Sequence, residues 1–105
     1  MARRAPLAVR DIAERIAPLL ERVLSQRTCM TYRLYAGWLA EKIGAAQPQA
    51  RAVAEAAAAE AKRRGFYAVL VYDRRDHRYS LVITRSREYA EELARGGDGC
   101  DAWLL

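Results

Sequence analysis

Apolar residues at Ile12, Ile16, Leu19, Leu20, Val23 and Leu24 have the spacing of one buried helical stripe, in a segment that begins at Pro6. Pro18 lies inside that stretch and has no backbone N–H to donate, so a kink or a junction of two short helices is expected there. Residues 27–30 form a short, partly β-prone segment. Thr31 then reads as the N-cap of a second helix reaching Ile43, with Leu34, Tyr35, Trp38, Leu39 and Ile43 on its buried side and Gly44 ending it. A turn leads to a third helix over residues 48–64. It is dominated by alanine, carries Pro48 at its first position, and ends in Lys62-Arg63-Arg64 followed by Gly65.

The pattern changes after Gly65. Residues 66–72 and 79–84 are rich in Val, Ile, Leu and Tyr and read as two antiparallel strands, joined by a charged tip that lacks the Asn-Gly signal of the tightest hairpins. Ser86 is placed to cap a last helix, with Glu88, Glu91 and Glu92 towards its start and Arg95 near its end. Glycines at 96, 97 and 99 then lead into the tail Cys100-Asp101-Ala102-Trp103-Leu104-Leu105.

This order predicts an α+β fold. Residues 39–44, Leu-Ala-Glu-Lys-Ile-Gly, followed by a short turn and a helix ending Lys-Arg-Arg-Gly-Phe, resemble the winged-helix (winged helix-turn-helix) DNA-binding superfamily. The resemblance spans about residues 8–85 and implies a three-helix core, a recognition helix at 48–64 and a β-hairpin wing. A winged-helix domain at 6–85 followed by a C-terminal helix and an acidic, apolar tail at 86–105 is the organisation expected. The implied ligand is nucleic acid.

Composition sharpens the picture in two places. A chain of 105 residues with 52% hydrophobic and 30% charged residues fits one globular domain. No apolar run approaches the ~20 residues of a membrane span, and the start does not read as a secretory signal. Two isolated cysteines, Cys29 and Cys100, form no CxxC pair, so a reducing, cytoplasmic setting is expected. The net charge of +5 conceals an asymmetry: residues 1–87 carry 17 basic and 8 acidic side chains, whereas residues 88–105 carry one basic and five acidic. A basic body attracts polyanions, although an arginine-rich solvated surface gives the same count.

Candidate nucleic-acid-binding residues follow from where donors fall. Gln47, Gln49 and Arg51, at the start of the third helix, can donate to base edges; the middle of its exposed face is alanine with Glu55. Arg74, Arg75 and Arg78 lie at the hairpin tip, where guanidinium groups reach phosphates or a narrow minor groove. Asp73 and Asp76 lower the tip's charge and are suited to pairing with those arginines. Arg3 and Arg4 suit either a groove-entering arm or an untethered basic end. Tyr32, Tyr35 and Trp38 are expected in the core, and Tyr67, Tyr72 and Tyr79 either stack bases or pack on the third helix.

No catalytic constellation, phosphate loop or metal-ligand spacing is present in the sequence; neither an enzyme nor a cofactor is expected. A DNA-binding transcriptional regulator acting as a homodimer is the leading expectation, with DNA favoured over RNA. The first and last helices, the latter with Tyr89 and Leu93 on one side, are the expected dimer elements. An RNA- or ribosome-associated winged helix, or a protein-interaction module of a larger complex, are the alternatives. The tail is expected to dock away from the binding face, bridging subunits or anchoring a partner.

Overall fold

The computed structural model describes residues 5–25 and 29–105; Arg3, Arg4 and residues 27–28 lie outside them. Among the described residues the chain forms four α-helices and a four-stranded antiparallel sheet, an α+β architecture. Helix α1 spans Val9–Leu24 and buries Ile12, Ile16, Leu20 and Leu24. It continues through Pro18 as a single helix rather than as two short ones, with the proline ring on its exposed side. The next element differs from expectation. Thr31–Tyr35 is a strand, β1, and helix α2 starts only at Ala36 and ends at Ile43.

The physical reason lies in the alternation. Tyr32 and Leu34 turn inward while Thr31, Arg33 and Tyr35 turn outward, the two-residue period of a strand beside the open edge of a sheet. Leu34, Trp38 and Leu39 also fit a helical spacing, so the sequence pattern alone favoured the wrong element. Gly44 ends α2 at φ 77°, a left-handed conformation in which a side chain is strained. A single 3₁₀ turn at Gln47–Gln49 leads into α3, Ala50–Arg63. Val53, Ala54, Ala57 and Ala61 of α3 are fully buried, and the small side chains bring this helix close to α1 and to the sheet.

Strands β2 (Tyr67–Asp73) and β3 (Arg78–Thr84) pair antiparallel as the expected hairpin, and β1 joins the far side of β3. Helix α4, Arg87–Ala94, is capped as expected: Ser86 Oγ accepts the Tyr89 N–H at 3.2 Å. The tail is the second difference. Cys100–Leu104 forms strand β4 along the other edge of β2, giving the order β1-β3-β2-β4. The tail therefore completes its own sheet, where a subunit bridge or partner anchor was expected.

The sheet separates two unequal layers. Ala68, Leu70, Leu81 and Ile83 face α1, α2 and α3. Val69, Val71 and Val82 face the other way and are covered by Ala90 and Leu93 of α4. Among the described residues no helix is long and apolar enough to cross a membrane.

Candidate nucleic-acid interface

Residues 35–51 and residues 77–79, far apart in sequence, meet at one end of the sheet. The first turn of α2, the 3₁₀ turn with the start of α3, and the first residues of β3 surround a cleft of about 560 Å³. Its walls include Tyr35, Trp38, Gln47, Arg51, Arg78 and Tyr79. Of the residues singled out in the sequence, Gln47, Arg51 and Arg78 come together here.

Arg51 is the hinge of the arrangement. Its Nη1 donates to Tyr79 Oη at 3.3 Å, its Nε pairs with Glu55 at 3.3 Å, and its guanidinium lies over the rings of Tyr79 and Trp103 at 5.5 and 5.6 Å. A planar cation held against aromatic faces keeps its outward N–H groups oriented. Across the cleft, the Arg78 guanidinium sits 5.9 Å from the centre of the Tyr35 ring.

The two glutamines separate in role. Gln49 Nε2 donates to the Leu7 carbonyl at 2.7 Å and its Oε1 accepts the Leu7 N–H at 2.9 Å, so its amide ties the chain ahead of α1 to the start of α3. Both ends of that amide are spent on the backbone. Gln47 is exposed and makes a longer bond to the Gly37 carbonyl, at 3.2 Å.

At the hairpin tip, Asp73 serves the turn. Its Oδ1 accepts the N–H groups of Arg75 and Asp76 at 2.8 and 3.2 Å, and these bonds hold its carboxyl below the ordinary aspartate value. His77 closes the turn at φ 54°, the left-handed region usually given to Asn or Gly, and its Nδ1 lies 3.1 Å from Tyr72 Oη. Arg74 is exposed and reaches along the surface to β4. Its Nη1 pairs with Asp101 at 2.6 Å and its N–H donates to the Gly99 carbonyl at 2.8 Å. Arg75 remains exposed at the apex.

The aromatic residues correct another expectation. Tyr32 is buried, but Trp38 is 38% and Tyr35 50% exposed, so two of the three presumed core rings face solvent at the cleft. Tyr35 points outward because β1 is a strand; read as a helix, the same residue fell on the buried face. The tail also brings Trp103 beside Arg51 and Asp101 beside Arg74, two of the arginines singled out in the sequence. Cys29 and Cys100 are free and half-buried.

A second basic group gathers at the opposite end of α3. Arg63 and Arg64 both bind Glu60, at 2.6 and 2.9 Å, and Arg85 stacks over Phe66 at 4.4 Å. The Arg63 bond, reinforced by Arg64, holds the Glu60 carboxyl below its ordinary value against the opposing effect of burial. These arginines are occupied in fastening the helix end. Comparison of the chain with protein-family models, curated proteins and solved structures returned no match.

Proposed function

We propose that the chain is a winged-helix module that binds nucleic acid, duplex DNA in preference to RNA, and does so chiefly through phosphates. The order α1-β1-α2-α3-β2-β3, with β1 beside β3, supports the winged-helix reading, in which β2–β3 is the wing and α3 the recognition helix. One observation carries the functional part: the start of α3 and the base of the wing, separated by more than twenty residues of sequence, present Arg51 and Arg78 on the walls of one cleft. Arg75 stands exposed at the wing tip.

Base readout is a small part of this interface. Gln49 is committed to Leu7, and the exposed middle of α3 offers Ala52, Glu55 and Ala59. Alanine has no donor, and a glutamate beside a phosphate backbone is repelled. Phosphate contacts give affinity without sequence information. A role as a transcriptional regulator then requires two copies acting together, because one small module buries too little DNA for useful specificity.

Anisotropy titrations of a labelled blunt duplex, an RNA hairpin and a single strand at several salt concentrations test the proposal. Duplex affinity should fall with salt with a log–log slope near −3, about −0.9 for each of three phosphates neutralised. No duplex binding at low salt, or a tighter RNA hairpin, contradicts it.

A further inference from the structure

The cleft walls contain more aromatic surface than phosphate binding uses. Trp38 stands in the first turn of α2 with over a third of its surface exposed, and Tyr35 and Tyr79 line the same space. Lys42 Nζ lies 5.6 Å from the centre of the Trp38 ring. The volume, about 560 Å³, falls in the range of roughly 300–1,000 Å³ typical of small-ligand pockets. A base inside a duplex shows proteins only its edges. Its flat face becomes available only when it leaves the stack.

Resting on the nucleic-acid reading above, we infer that this cleft receives one unpaired nucleotide at the end of a duplex, with its base stacked on Trp38 and its phosphate on the side of Arg51 and Arg78. Charge sets the orientation. Glu41 lines the α2 side and repels phosphate there, while the two guanidinium groups lie on the α3 and β3 sides. Gln47, in the same wall, offers an amide to the base edge. Stacking accepts any base, because every base has a π-face; the preferred ligand is thus a duplex carrying a single-stranded overhang, of any sequence.

The test compares one duplex with blunt ends and the same duplex with a short thymidine overhang, at one salt concentration. The native protein should bind the overhang form about 5–10-fold more tightly, the contribution of roughly one stacked base. Trp38→Ala should abolish that preference, so that the two duplexes bind alike, and Trp38→Phe should restore most of it. Should Trp38→Ala not fold, Trp38→Phe and the fluorescence of a Trp103→Phe variant, in which Trp38 is the remaining tryptophan, carry the test: overhang DNA should quench the signal more than blunt DNA. Equal binding of the two duplexes by the native protein, or equal quenching, overturns the inference while leaving duplex binding intact. Failure to bind either duplex at low salt overturns the nucleic-acid reading itself.

Discussion

The two faces of the sheet are built to different depths. Neighbouring residues on β3 show it: Leu81 points into a core shared by α1, α2 and α3, whereas Val82 points into a thin layer closed by α4 alone. The charge divides similarly. Arg51 and Arg78 stand at the cleft between α2, α3 and β3, while the exposed carboxylates Glu88, Glu91 and Glu92 ride on α4. The thick side positions the cleft; the thin side finishes the sheet and carries a cluster of three exposed carboxylates on α4. β4 carries one more carboxylate, Asp101, across to Arg74.

The largest expected difference between the faces is in stability. Leu81→Ala should cost about 3 kcal/mol in urea unfolding, and Val82→Ala about 1–2 kcal/mol, since the thinner layer has fewer fixed neighbours around the void. Equal costs would mean that α4 packs as firmly as the three-helix side. Deleting residues 100–105 removes five cross-strand pairs with β2 and should lower stability by roughly 1–3 kcal/mol. Disappearance of all cooperative unfolding would make β4 a part of the core rather than an edge.

Glu60 provides a pH-dependent check on the thick side. Its folded carboxyl is held below the ordinary value, chiefly by Arg63. Its stabilisation is therefore complete above the unfolded glutamate's value and is lost as pH falls through the folded one. Glu60→Gln should cost about 1 kcal/mol at neutral pH, and the gap between native and variant should close on acidification. A gap constant with pH would show that the carboxylate's charge contributes nothing. Asp101→Asn has the smallest expected effect on stability, about 0.5 kcal/mol, because the Arg74 pair is exposed. Its informative readout is binding: freeing Arg74 should raise duplex affinity severalfold and steepen the salt slope by about 0.9. An unchanged slope would separate Arg74 from the phosphate surface.

The sequence made the helical stripes, the Gly44 and Ser86 caps and the β2–β3 hairpin legible because each is written in local residues: Ile12, Ile16 and Leu20 on one side of α1, or Ser86 three positions before the N–H it accepts. β1 and β4 are not written locally. Residues 31–35 satisfy both periods, and the decision is made by β3, some fifty residues away. β4 has little strand propensity of its own in Cys-Asp-Ala-Trp-Leu and is held by β2. The candidate site divides along the same line. Gln47, Arg51 and Arg78 are identifiable by residue type, but the commitment of Gln49 to Leu7 and of Arg74 to Asp101, and the exposure of Trp38 and Tyr35, depend on packing between distant segments.

The central claim is that the start of α3 and the wing form one phosphate-binding surface. The most direct measurement is the salt dependence of blunt-duplex affinity for the native protein and for a variant carrying Arg51→Ala, Arg75→Ala and Arg78→Ala, with circular dichroism confirming that both are folded. The variant's log-affinity against log-salt slope should be shallower by about 2–3, near 0.9 for each phosphate that the removed arginines had neutralised, and binding should weaken alike on unrelated sequences. An unchanged slope in a folded variant would contradict the claim.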